Sequence, residues 1–239
     1  MQLDHLSALG FVVVVAASFG AATIFQRRQF ARLRAQLQGD PDVEVVDAGR
    51  FGGFAVCPRP PRRAGRLSVR SANDVDSNLH WEFTTDTQRV WQRTTLKVLS
   101  APGITGRLHP FEGLNVEIDD AALRERVRLG GVHPDVVRGL FRVPAVRDGA
   151  IALVDTHGLK RFTLDSRGQV LATLSYDGAR NVDVKAMLLA LVAFVDALDA
   201  AVDAPEVPAP GSCPPLLDAA GSASGAPVGV PGGLIQRPR

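Results

Sequence analysis

The chain opens on a stretch with no polar alternation. From residue 6 to 25 the sequence LSALGFVVVVAASFGAATIF runs for twenty residues without a charge. A helix rises about 1.5 Å per residue, so this run matches a hydrocarbon core roughly 30 Å thick and predicts a transmembrane helix. Past it, Phe30, Leu33 and Leu37 recur at i, i+3 and i+7 with arginines on the other faces. That spacing predicts that the helix continues beyond the membrane surface, until Gly39, Asp40 and Pro41 stop it.

After Pro41 the period changes from helical to extended. Apolar runs at 43–49, 51–57, 66–71, 79–85, 94–100 and 114–118 are short and bounded by Gly, Pro, Asn or Asp, which predicts strands of an antiparallel sheet. In HWEFTTD, Trp81, Phe83 and Thr85 alternate with His80, Glu82 and Thr84, so one face of that strand should be buried. Asp119 and Asp120 then open a helix carrying Leu123 and Val127, which Gly130 and Gly131 end. Pro134 begins another short helix whose apolar face is Val136, Val137, Leu140 and Phe141. A β-meander follows at 150–154, 159–164 and 170–176, turning at DTHG and DSRG. A long helix over 182–202 closes the domain, with Val184, Leu188, Leu191, Val195, Leu198 and Val202 as one seam and Asn181 as N-cap. Only ten uncharged residues separate Lys185 from Asp196, too few for a second span.

The predicted class is therefore α+β: an N-terminal transmembrane helix, then one domain of antiparallel sheet with two short helices and a long closing helix. Residues 1–37 form the span and a basic juxtamembrane helix, 38–202 the folded domain, and 203–239 a tail. That tail holds eight of the sixteen prolines among Gly, Ala and Ser without sustained periodicity, a composition that predicts disorder. With 46% hydrophobic and 22% charged residues in 239, the whole is not a disordered, collagenous or disulfide-framework protein.

Charge adds an orientation. Residues 26–70 carry ten Arg against Asp40, Asp42, Glu44 and Asp47, whereas MQLDH before the span has neither Lys nor Arg. A cleavable signal peptide has its positive charge on the other side of the apolar run, and neither Cys57 nor Cys213 lies where a lipoprotein would need it. Basic residues flanking a span favour the cytoplasmic side, which places the domain at the cytoplasmic face of the inner membrane. The two cysteines agree with a reducing compartment. Arg27, Arg28, Arg32 and Arg34 are placed to contact lipid phosphate, and they also constitute the ordinary positive flank of a span. Within the span, Ala16 and Gly20, Ala17 and Ala21, and Ser18 and Ala22 are each four apart. Small residues at that spacing let two helix backbones approach, which points to homo-oligomers or docking to another membrane helix.

Candidate chemistry is sparse. His5, His80, His109, His133 and His157 form no metal-binding spacing, and Asp74 and Asp76 sit in SANDVDSN, which lacks the Gly and closing Glu of a calcium loop. Glu117, Asp119 and Asp120 precede a helix, where carboxylates cap and complement the positive helix end. No nucleophile elbow or phosphate-binding glycine loop occurs, and Cys57 is followed by Pro. Arg59, Arg62, Arg63, Arg66 and Arg70 lack interleaved aromatics, so they read as a solvated loop and no nucleic-acid partner is expected. No residue is assigned a catalytic, cofactor or metal role. The one enzymatic alternative is a site assembled from dispersed residues such as His80, Glu82, His133 and Asp135.

Between 114 and 202 the succession VEIDDAALRERV, HPDVVRGLF and IALVDTHGLKRF, closed by the long helix, resembles uncharacterised bacterial single-pass membrane-anchored α+β proteins. The resemblance implies a single-pass protein without a diagnostic catalytic residue. With the span and its flank it yields the expectation of a non-enzymatic, membrane-tethered interaction or scaffold module with a protein partner. A periplasmic domain on an uncleaved signal anchor is the topological alternative.

Overall fold

Strand-forming runs of β-branched and aromatic residues assemble an eight-stranded antiparallel sheet, seen in a computed structural model that describes residues 28, 30–47, 54–71, 79–101, 116–176 and 182–209. In chain order a helix, α1 (30–37), precedes β1 (Val43–Asp47), β2 (Phe54–Pro58), β3 (Arg66–Ser71) and β4 (Leu79–Asp86). A 3₁₀ turn (Val90–Gln92) leads to β5 (Leu96–Ser100), α2 (Ala121–Arg126), β6 (Val127–Gly130), α3 (Pro134–Arg142) and α4 (Pro144–Asp155). The β7 (Leu159–Leu164) and β8 (Gln169–Ser175) hairpin and α5 (Val184–Ala201) complete the fold. The strand order is β1-β2-β3-β4-β8-β7-β5-β6, every pair antiparallel.

Period-two alternation divides the sheet into two unlike faces. One face carries Val43, Phe54, Val56, Leu67, Trp81, Phe83, Leu96, Val98, Phe162, Leu164, Val170, Ala172 and Leu174, which join the inward residues of the helices in a single core. Against it α5 lays Val184, Leu188, Leu191, Val195, Leu198 and Val202, the six seam positions expected from spacing, and all are buried. The opposite face is only partly screened and carries Glu44, Cys57, Arg66, Glu82, Thr84, Leu171, Thr163, Lys97 and Arg128. The β7–β8 turn tightens at Gly168, where φ of 84° is comfortable only without a Cβ.

Several expectations change. Residues 150–154 are the end of α4 instead of a strand, so the predicted meander is a two-stranded hairpin, and among the described residues after β1 three helices, α2, α3 and α4, precede the closing one. IALVD is short and apolar enough to fit either period; Pro144 at the helix start and the burial of Val146, Ala150 and Leu153 on one side settle it as helix. The helix begun at Asp120 ends at Arg126, and Val127, expected within it, starts β6. Pairing of β6 with β5, from Lys97↔Gly130 to Ser100↔Val127, satisfies a backbone that a longer α2 would have drawn away from the sheet edge. Of the strand predicted at 114–118, Val116 makes a single bridge to Leu129. Asp183 caps α5 by accepting from Ala186 N–H, and Asn181 lies outside the described residues. The folded part also extends past 202: Val207 is buried, and Gly139 lies against the backbone of Glu206 and Val207.

Among the described residues no helix is long and apolar enough to cross a membrane. The predicted span over 6–25, with Ala16, Ala17, Ser18, Gly20, Ala21 and Ala22, lies outside them, as do Arg27 and residues 210–239.

Candidate functional site

The dispersed set is not gathered. His80 and Glu82 share the less covered face of β4, as their spacing implies, with His80 opposite Ser175 and Glu82 opposite Thr173. His133 and Asp135 belong to the start of α3, which follows β6, four strand spacings away in the sheet order. At roughly 4.8 Å per strand that is about 19 Å. His133 is buried and donates its backbone N–H to Thr94 Oγ1 at 3.3 Å, while exposed Asp135 pairs with Arg138 at 2.5 Å. His109, His5, Asp74 and Asp76 lie outside the described residues, and among those described no three His, Cys, Asp or Glu side chains cluster as a metal site.

On the less covered face, the start of β3, the end of β4 and the β7–β8 turn form an open groove of about 620 Å³. Arg66, Thr84, Asp86, Thr163, Asp165 and Leu171 line it. Its chemistry is hydrogen bonding around a partly exposed leucine. Asp165 is engaged by the N–H groups of Arg167 and Gln169 at 2.8 and 2.9 Å, where it shapes the turn. Cys57, on the same face of β2, is free and half-buried; burial pushes its thiol up, Arg66 draws it down and Glu44 adds to the rise.

A second cluster holds the charged loop that was expected to be solvated. The Arg63 side chain is 10% exposed and spans Asp199 at 2.6 Å, Asp196 at 2.7 Å and the Asp86 carbonyl at 2.5 Å. Asp199 is 8% exposed and also accepts N–H bonds from Gln88 and Arg89 at 2.8 Å and from Val90 at 2.9 Å. Burial pushes its carboxyl up, but the Gln88, Val90 and Arg89 amides and Arg63 outweigh that and hold it below the usual carboxylate range. Arg59 and Arg62 are structural too, reaching the Val43 carbonyl and Asp42. Only one signal in the sequence marks this cluster: Asp199 adjoins Leu198 inside an otherwise apolar seam.

The third assembly concerns α1. Its stripe is docked: Leu37 is buried, and Phe30 and Leu33 pack on the core. Phe30 meets Phe54 edge-on at 5.8 Å and Tyr176 at 6.4 Å, and Trp81 lies 6.3 Å from Phe54 and 5.8 Å from Tyr176. Burial within this group raises the Tyr176 hydroxyl above its ordinary pKa, and leaves Trp81 Nε1 without a hydrogen-bond partner. At the far end of α1, Lys185 Nζ bridges Asp40 at 2.9 Å and Asp42 at 2.7 Å, tying the first turn of α5 to the α1–β1 corner. The ammonium holds both carboxyls below their ordinary range, and they in turn raise it. Arg28, Arg32 and Arg34 stay exposed.

Searches against family models, curated proteins and solved structures return no match.

Proposed function

We propose that this is a single-pass membrane-anchored, non-enzymatic interaction or scaffold module whose domain stands at the cytoplasmic face. The observation that carries it is the docking of α1. The helix α1, which follows the uncharged run in sequence after only a few residues, places Phe30, Leu33 and Leu37 on the domain instead of in lipid. Exposed Arg28, Arg32 and Arg34 then lie between the anchor and the domain, at headgroup level, where cationic side chains meet lipid phosphate. The separation of His80 and Glu82 from His133 and Asp135 supports the non-enzymatic half of the proposal.

Membranes from cells producing the full chain test the anchor. After an alkaline carbonate wash the chain is expected in the pellet, and its release into the supernatant would overturn the proposal. Fusions at the C-terminus test the side: fluorescent-protein signal without alkaline-phosphatase activity is expected, and active phosphatase would move the domain to the periplasm.

A further inference from the structure

The less protected edge of the sheet is β1. Among the described residues it pairs on one side only, with β2, whereas the opposite edge strand β6 is bridged by Val116. Its phase is fixed by the bond from Arg59 N–H to the Asp42 carbonyl at 2.9 Å. Directly opposed residues of an antiparallel ladder alternate between bonded and non-bonded pairs. Glu44 and Val46 therefore face β2, through Cys57 and Ala55, and the amides of Val43, Val45 and Asp47 turn outward. Arg59 Nε takes one lone pair of the Val43 carbonyl, and the edge carries no proline or lysine from Val43 to Asp47. Such an edge is a template for another strand.

We propose that the protein forms a two-fold dimer in which β1 pairs antiparallel with β1 of a second copy, centred on Val45, so that two sheets become one. This rests on the membrane-anchored reading, because the anchor decides which strand meets its counterpart. Only Gln38 to Asp42 separate α1 from β1, so β1 is the first strand in sequence after the anchor, and Phe30 at the start of α1 packs on Phe54, the residue of β2 paired with Asp47 at the end of β1. Association of two anchors through the four-residue spacing of Ala16, Gly20 and their neighbours brings two β1 edges side by side. The charge pattern selects the register. Centred on Val45, all five residues pair, Val43 opposite Asp47 and Glu44 opposite Val46, and no two carboxylates oppose. Moving the centre to Glu44 sets the two Glu44 carboxylates against each other, which is unfavourable in a directly opposed pair. In the proposed register Glu44 and Val46 form the non-bonded pair, with the closer approach of side chains, and both are exposed before pairing.

The test uses two tagged full-length copies made together, both carrying Cys57→Ser and Cys213→Ser, since Cys57 stands opposite Glu44 within one copy. One copy carries Glu44→Cys and the other Val46→Cys; carbonate-washed membranes are then treated with copper phenanthroline. A mixed disulfide dimer several-fold above a Glu44→Cys with Glu206→Cys control is expected. Adding Val45→Pro to both copies, which removes an outward N–H and none that faces β2, is expected to abolish it. Chain that pellets without a 44–46 cross-link, or a cross-link that survives Val45→Pro, overturns edge pairing while leaving the anchor in place. Chain released by carbonate marks failure of the anchored reading itself.

Discussion

Replacing Asp199 by Ala should be the most damaging single change among the charged residues of α5. The carboxylate accepts three backbone N–H groups and the Arg63 guanidinium, all within 2.6 to 2.9 Å. Water can reach the amides of exposed Gln88 and Arg89, but Val90 is fully buried, so its N–H is left unsatisfied, costing about 1–3 kcal/mol. Losing the charge-assisted bond to Arg63 costs about 1.5–3 kcal/mol more. The combined figure, about 2.5–6 kcal/mol, brackets the roughly 3–5 kcal/mol that removing one partner of a buried ion pair typically costs. Asp199→Asn keeps the shape and should lose about 1–3 kcal/mol. Asp196→Asn, whose side chain is 52% exposed, should stay within about 1 kcal/mol of the parent. Urea unfolding of the full chain in detergent, followed by the fluorescence of Trp81 and Trp91, reads all three. A loss below about 1 kcal/mol for Asp199→Ala would show that the loop finds other partners and would refute the reasoning. The carboxyl is depressed on folding, so its contribution is full above the unfolded value of about 3.9 and is lost as pH falls through the lower folded value. Asp199→Asn should flatten the acid limb of the stability curve in that window.

Further outcomes follow from the same packing. Gly139→Ala, ordinarily favourable in a helix, places a Cβ 2.4 Å from the Glu206 carbonyl, so it should destabilise by about 1–3 kcal/mol and expose 203–208 to proteases. Phe30→Ala should cost about 1–2 kcal/mol and speed tryptic cleavage at Arg32 and Arg34, because the ring's contacts with Phe54 and Tyr176 hold α1 down. Burial lowers the pKa of His157 while Asp183 partly restores it, so protonation favours the unfolded chain. Stability should fall as pH drops below about 6.5, and His157→Gln should remove that slope in a pH-dependent melting series. Cys57 should react with iodoacetamide more slowly than a free thiol at the same pH, as burial raises it first.

Period was the legible signal. The seam of α5 and the faces of β4 and α3 follow directly from spacing, because each is long or regular enough to distinguish 3.6 from 2. The run at 150–154 failed because its five apolar residues fit both, and besides Pro144 it is packing on α5, whose Phe194 lies against Gly149, that favours the helix. Val127 failed for the opposite reason: helix spacing is satisfied there, yet pairing with β5 captures the backbone. The Arg63–Asp199 cluster joins residues 136 positions apart, and local charge pattern has no access to such a contact. Asp120 was legible as a cap, since the bond from Leu123 N–H at 3.0 Å depends only on neighbours in sequence.

Docking of α1 has a mechanical corollary. Phe30 is fixed to the aromatic group and Leu37 to the core, and in sequence only residues 26–29 stand between the end of the apolar run at Phe25 and that body. The five steps from Phe25 to Phe30, even fully extended, reach about 18 Å. On the anchored reading the domain is therefore on a short leash, confined to the layer next to the headgroups.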